Sequence, residues 1–234
     1  MSLRVCLLLA GLAGLAATAS AITADELIAK NLAAHGGADK LKAITSMHSE
    51  GKLRLGGGLE AKIESFQLGS EKMRFEFTLQ GLTGVNAWDG KEGWAIQPFQ
   101  GRKDPQKTTL DDNKQLIYGA DIAGPLVDYK AKGNKVEYLG TEDIDGTDAY
   151  KLRVTRKTGD SQVIYLDPDS YLEIRTVDHV MIRGQEQVQT TDLGEYEKVD
   201  GVYFPFEMGQ IHIEKAETNK PIDAAMFSFP TAKH

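Results

Sequence analysis

Between Lys135 and Lys215 the chain repeats one phrase: six or seven residues of alternating apolar and polar character, then a turn. Tyr150, Leu152 and Val154 alternate with Lys151, Arg153 and Thr155. Leu172 and Ile174 alternate with Glu173 and Arg175, and Phe204, Phe206 and Met208 alternate with residues of a second face. Successive side chains of a strand point to opposite faces, so the pattern predicts antiparallel sheet with one apolar face and one wet face. The breaks carry turn chemistry: Asp145-Gly146, Thr158-Gly159-Asp160, Asp167-Pro168-Asp169 and Asp200-Gly201. A long one-sided sheet requires an apolar cover, and the rest of the chain has to supply it.

The preceding part continues the sheet. Strands are expected near 46–55, 59–68, 72–79, 82–88 and 92–96, separated by glycine-bearing turns. In the third, Met73, Phe75, Phe77 and Leu79 face one way while Arg74, Glu76 and Thr78 face the other. A helix opens the domain: Thr23-Ala24-Asp25-Glu26 is a capping box, Leu27, Ile28 and Leu32 form its apolar stripe, and Gly36-Gly37 ends it. A second short helix, near 38–43, presents Leu41 and Ile44. Residues 97–134 interrupt the sheet rhythm. Thr109, Asp111 and Asp112 mark one helix start, with Leu110, Leu116 and Ile117 on one side, and Gly124-Pro125 marks another. The expectation is two short helices on a loop laid over the open face. Pro221-Ile222-Asp223 predicts a helical turn near the end.

Residues 1–21 read as a cleaved export signal: Arg4, an apolar stretch from Val5 to Ala17, and a small-x-small site at Ala19-Ser20-Ala21. Cys6 precedes the apolar stretch instead of following it, which argues against a lipid anchor. Cleavage removes the single cysteine, and a cysteine-free exported domain over 22–234 points to the periplasm of a bacterial envelope. The formal net charge of −7 argues against nucleic acid as a partner. Lys130, Lys132 and Lys135 read as a solvated loop.

No residue pattern specifies a reaction. There is no Gly-x-Ser-x-Gly elbow, and the five histidines show no metal spacing. His48 and His212 lie on predicted strands as surface or hydrogen-bonded side chains. Asp143-x-Asp145-Gly146 has its glycine too early for a calcium loop. The acidic pairs Asp111-Asp112, Glu142-Asp143 and Asp167/Asp169 sit where turns and helix starts want carboxylates. No catalytic residue, metal or cofactor is therefore expected, and the chain reads as a non-enzyme. What remains is an aromatic set, Phe66, Phe75, Phe77, Trp88, Trp94, Phe99, Tyr138, Tyr165, Phe204 and Phe206. Either it packs as ordinary core, or part of it lines a cavity between sheet and cover.

Taken in order, several motifs resemble the LolA-like superfamily of periplasmic lipoprotein carriers and outer-membrane lipoprotein-sorting-like proteins. They are Trp88-Asp89-Gly90-Lys91 with Trp94 and Pro98; Tyr165-Leu166-Asp167-Pro168-Asp169 with Leu172 and Arg175; Tyr196 and Val199-Asp200-Gly201-Val202 with Pro205; and Phe227-Ser228-Phe229-Pro230. The resemblance implies an α+β fold, a strongly curved antiparallel half-barrel whose concave face is covered by short helices and encloses an apolar cavity. On that reading Phe75, Phe77, Trp88, Trp94, Leu152, Tyr165, Ile174, Phe204 and Phe206 are the candidate lining residues. The implied function is a periplasmic carrier of a lipid or of the acyl chains of a lipidated protein, with an inner- or outer-membrane protein as partner. The alternative is an envelope sensor of the same fold that recognises a lipid or peptide and signals to a membrane partner. Arg54 and Arg74 are the candidates for the arginine that ties the carrier's lid shut.

Overall fold

The computed structural model describes residues 22–230. The expected signal segment, with Cys6, lies outside the described residues. The alternating segments form thirteen strands: β1 (Ser46–Arg54), β2 (Glu60–Leu68), β3 (Lys72–Leu79), β4 (Leu82–Trp88), β5 (Gly93–Gln97), β6 (Arg102–Thr108), β7 (Lys135–Ile144), β8 (Thr147–Thr155), β9 (Ser161–Leu166), β10 (Glu173–Ile182), β11 (Gln185–Val199), β12 (Val202–Met208) and β13 (Ile211–Thr218). They make one antiparallel sheet in the order β6-β5-β4-β3-β2-β1-β13-β12-β11-β10-β9-β8-β7. Each strand pairs with its sequence neighbour except at two places: β1 pairs with β13, and β6 and β7 are the free edges. The sheet is a curved, unclosed half-barrel, and residues 109–134 must carry the chain from one free edge to the other. That route lays them across the concave face.

Three helices lie against this face: α1 (Ala24–Ala34), α2 (Ala38–Lys42) and α3 (Lys114–Gly119). The capping box at the start of α1 forms as the sequence requires, with Thr23 accepting from the Glu26 backbone and Glu26 accepting from the Thr23 backbone at 2.8 Å. Leu27 and Ile28 of α1 then pack on Leu152, Val154, Ile164 and Leu166 of β8 and β9, with Leu126 from the crossing segment. A second cluster joins Leu41 and Ile44 around α2 to Val127 and Val202. Between α1 and α2 the backbone reverses at Gly36, whose φ is +112°. A Cβ there would run into the Gly201 carbonyl oxygen, so only glycine lets this corner sit on the β11–β12 turn. Among the described residues no helix is long and apolar enough to cross a membrane.

The crossing segment departs from expectation in two respects. Residues 98–108, expected as loop, form a 3-10 turn (Pro98–Gln100) and β6, and the rest of the interruption contains one α-helix, not two. β6 reads Arg-Lys-Asp-Pro-Gln-Lys-Thr and is mostly exposed, so no period-two apolar signal marks it. As an edge strand it tolerates Pro105 and gains protection from its lysines. The helix expected at Gly124-Pro125 does not form: three residues past Pro125, Asp128 has a φ of +48°, outside the right-handed helical region. The carbonyls at its start are held by side chains, Lys132 Nζ donating to that of Gly124 at 2.7 Å and Asn134 Nδ2 to that of Pro125 at 3.1 Å. The expected start at Thr109 does form: Thr109 and Asp112 cap one another and a 3-10 turn leads into α3. Leu110, assigned to the apolar side of this helix, is instead exposed.

Candidate functional site

Beneath the crossing segment two cavities flank Ile122. The first, about 220 Å³, lies between α1 and strands β9–β12, against Leu32, Leu41, Leu126, Ile164 and Phe204. The second, about 280 Å³, lies over β1–β3 and β12–β13, and three methionines, Met47, Met73 and Met208, line it with Phe204, Phe206 and Ile213. Phe204, Pro205 and Ile122 belong to both walls, so the two spaces are separated by a side chain of the cover and a side chain of the sheet. Methionine is flexible and polarisable, and a surface built from it adapts to differently shaped apolar guests. The polar groups of the second cavity are Ser49, Ser65, Gln67 and Asp121; among the described residues no histidine, cysteine or lysine lines it. Ser49 and Ser65 are a cross-strand pair, and the Gln67 side-chain amide is used to hold the Gly119 carbonyl at the end of α3.

The polar end of the first cavity is a closed network around Glu173. His35 Nε2 stands 2.8 Å from Glu173 Oε2 and His35 Nδ1 stands 2.7 Å from the Tyr203 carbonyl oxygen. Both ring nitrogens therefore face acceptors, which a neutral imidazole with one N–H cannot satisfy. The arrangement calls for an imidazolium against a carboxylate. Burial pushes His35 toward the neutral form, but the Glu173 carboxylate and the Tyr203 carbonyl outweigh it and hold its pKa above the ordinary value. Burial likewise pushes Glu173 up, and the His35 hydrogen bond and charge, with the Asn31 amide, bring it below the usual carboxylate value. Asn31 Nδ2 donates to Glu173 Oε1 at 3.0 Å, and Tyr196 donates its hydroxyl to Glu173 Oε2 at 2.9 Å. Burial, then the neighbouring carboxylate, raises the Tyr196 phenol. The network fastens the α1–α2 corner to β10, β11 and β12. It is satisfied internally.

Two ion pairs shape and hold the crossing segment. Lys132 binds Asp121 at 2.5 Å across the turn they share, so this lysine is a half-buried brace within the segment, not part of a solvated loop. Lys114 of α3 reaches the buried Asp160 at 3.1 Å, and Asp160 also accepts from the Tyr118 hydroxyl and from Met181 N at 2.8 Å. Burial and the Asp160 hydrogen bond push the Tyr118 phenol up to about 12. Neither arginine named as a lid tie plays that part. Arg54 forks onto Glu207 at 2.8 and 3.2 Å, and Arg74 donates to the Met226 carbonyl and lies over Trp94.

The nine candidate lining residues separate into four groups. Phe204 and Phe206 line the cavities. Phe75, Phe77 and Trp88 share the covered face with Met73: Phe75 and Phe77 pack around Phe206 and Ile213, and Trp88 is the cross-strand partner of Met73. Leu152 lies under α1 in solid core. Trp94, Tyr165 and Ile174 are on the opposite face. Trp94 packs with Val85 and Ala87 beneath the C-terminal segment, donating its indole N–H to the Phe227 carbonyl at 2.8 Å. Tyr165 and Ile174 join Ile144, Ala149 and Val163. The cause at Ile174 is a bulge: Glu173 pairs with Leu166 and Arg175 with Tyr165, so Ile174 is the extra residue. Leu166 faces α1, and Glu173 beside it faces α1 too, not the solvent that the alternation assigned to it. The sequence reading put Met73 and Met208 on the apolar face without naming them as lining residues, and it missed Met47, Ile122 and the Glu173 network.

The histidines on β1 and β13 do not meet. His48 stacks on Phe66 with ring centroids 4.4 Å apart, and His212 bonds Glu207 at 2.8 Å. Glu195, Glu207 and His212 do bring one ligand atom each within 4.8 Å of one another. The Arg54 guanidinium already neutralises Glu207 there.

No protein-family model matches this chain, and no curated protein matches it in sequence. Solved structures match it in shape. A DUF1329 family protein from Desulfovibrio piger superposes with a TM-score of 0.56 at 14% identity, covering 88% of this chain and 97% of that one. A LolA superfamily protein from Nitrosomonas europaea gives 0.54 at 14% identity over 89% and 98% of the two chains. A Vibrio parahaemolyticus domain named for outer-membrane lipoprotein sorting gives 0.52 at 13% identity over 86% and 94%. At such identities the likeness is one of architecture, and the architecture of this chain is the LolA-like fold.

Proposed function

We propose that this protein is a periplasmic carrier that holds a lipid, or the acyl chains of a lipidated protein, between the half-barrel and its cover, after export directed by residues 1–21. The observation that carries the reading is the pair of cavities about Ile122, walled by methionine, phenylalanine and aliphatic side chains and roofed by a segment that Lys114 ties to Asp160 and Gln67 ties to β2. The energetics fit an acyl chain. Burying a methylene stabilises by about 0.8 kcal/mol, so a long saturated chain gains on the order of 12 kcal/mol before ordering costs. Such a chain needs an escort through water, and an apolar cavity can provide it without a reaction centre. Fatty-acid uptake and native mass spectrometry test the proposal together. Protein purified from the periplasm of its own host should carry a lipid-sized mass excess, and the delipidated protein should take up a fluorescent fatty acid. Absence of both would overturn it.

A further inference from the structure

On the far side of the Asp121–Pro125 turn lies a small pocket of about 200 Å³, and its most telling wall is Arg156. Arg156 begins the turn between β8 and β9, where its backbone N–H donates to the Asp160 carbonyl at 2.8 Å. Its side chain is 11% exposed, and Nη1 is buried with no hydrogen-bond partner among the described residues. Two neighbours account for its position but not for its donors. The Tyr118 ring centroid lies 4.1 Å from the guanidinium carbon, and Asp178 Oδ1 is 4.0 Å from Nη1, beyond hydrogen-bond reach. Asp178 is itself occupied by the Gln162 amide at 3.0 Å. The other acids nearby are also engaged: Asp160 by Lys114, Tyr118 and Met181 N, and Asp121 by Lys132.

A guanidinium offers five N–H donors in a planar fork that matches the oxygens of a carboxylate or phosphate. Leaving a donor such as Nη1 buried and unpaired is costly, and proteins seldom do so without a use for the group. Here Lys157, which has no ion-pair partner among the described residues, shares the pocket wall, so a second cation stands beside the fork, while the side chains of Tyr118, Thr158 and Asn134 on the same wall are already hydrogen-bonded. Pro125 faces both this pocket and the first apolar cavity, and Asp121 faces both this pocket and the second. The wall between the anion-seeking pocket and the apolar space is thus a single turn of the cover.

We propose that the Arg156 pocket binds the anionic head group, a carboxylate or phosphate, of an amphiphile whose chain lies in the apolar cavities. This rests on the carrier reading and adds the class of ligand to it.

The test uses the delipidated whole protein and two probes with the same tail, a fluorescent fatty acid and its uncharged methyl ester, at pH 8. A charge-assisted contact to a buried guanidinium should make the acid bind at least about tenfold more tightly than the ester. Arg156→Gln should abolish that preference while leaving ester affinity unchanged, and Arg156→Lys should keep part of it. Equal affinity of the wild type for acid and ester would overturn the head-group site and leave the carrier reading standing. Failure of both probes to bind would overturn the carrier reading and this proposal with it. Inorganic phosphate separates the two sources of an anion. It should compete with the acid but not with the ester; saturation of Arg156 by phosphate, seen in its guanidinium nitrogen resonances, without displacement of the acid would assign the pocket to a free anion instead. The comparison of acid with ester in the wild type carries the test even where a variant folds poorly.

Discussion

His35→Ala removes the one cationic partner that the buried Glu173 carboxylate has among the described residues, and the consequence can be worked out from the contacts. Glu173 and His35 have side chains 16% and 12% exposed, and their 2.8 Å contact joins α1 to β10. After truncation Glu173 keeps two neutral donors, Asn31 and Tyr196, at 3.0 and 2.9 Å. Breaking a buried pair by deleting one member costs about 3–5 kcal/mol, and the donors left behind place this case near the lower end, about 3 kcal/mol. With a urea m-value of roughly 2–3 kcal/mol/M, the unfolding midpoint at pH 6 should fall by about 1–1.5 M.

The pH dependence has a definite sign. The His35 pKa is raised in the folded state, so its contribution is complete below the ordinary histidine value and is lost as pH rises through the raised value. The Glu173 pKa is lowered, so its contribution is present above the ordinary glutamate value and is lost as pH falls through the lowered one. The pair therefore stabilises most between the two ordinary values. The gap in midpoint between wild type and His35→Ala should narrow from pH 6 to pH 9. A gap of less than about 0.2 M at pH 6, or one of the same size at both pH values, would refute the assignment of an imidazolium–carboxylate latch.

Phe204→Ala, which strips a wall shared by both cavities, should weaken binding of a fluorescent fatty acid by about tenfold, whereas Phe77→Ala should cost about 2–3 kcal/mol of stability and leave binding unchanged; the opposite pattern would move the binding surface to the upper part of β3. Gly84→Val should destabilise the half of the sheet that holds Phe77, because a side chain at Gly84 would meet the Phe77 ring; wild-type thermal stability in this variant would show that the ring swings aside freely. Lys132→Ala should speed hydrogen exchange across 120–134 relative to β8–β10, and added fatty acid should slow it again. Exchange that ignores both changes would mean that this turn is not the element that opens.

The sheet was legible because its strands are half-buried. In β3, Met73, Phe75 and Phe77 alternate with Arg74 and Glu76, and the observed bounds of β1–β5 follow the sequence reading to within a residue or so at each end. The helix at 24–34 was legible for a different reason, since the Thr23–Glu26 box is a local device written into four consecutive residues. β6 was not legible, because an exposed edge strand has no apolar face to alternate. The bulge that turns Glu173 inward was hidden as well. It changes the parity of β10 by one residue, and parity is what an alternation argument assumes to be constant. For the same reason aromatic side chains pointed to the cavity no better than chance of face allowed: Phe204 and Trp94 are alike in type, and only their places on β12 and β5 put them on opposite sides of the sheet.

The manner in which the cover is fastened bears on what it can do. A roof packed by apolar side chains along its whole length would fill the concave face and leave no room for a guest. Here the roof buries Leu126 and Val127 at one place and Leu116 and Ala120 at the end of α3 at another, while its ties to the sheet between them are polar and narrow: Lys114 with Asp160, and Gln67 with the end of α3. Polar ties specify a position at the cost of few side chains, and they exchange with water when they break, so opening costs far less than exposing an equal length of core. The apolar surface between the ties is then free to be covered either by Ile122 or by a ligand chain. If that division of labour holds, ligand and cover compete for the same surface around Phe204, and a variant with a smaller side chain at Ile122 should bind a long-chain acid more tightly than the wild type does. Weaker binding by Ile122→Ala would mean instead that Ile122 holds the ligand, and that the two cavities are occupied with the cover closed.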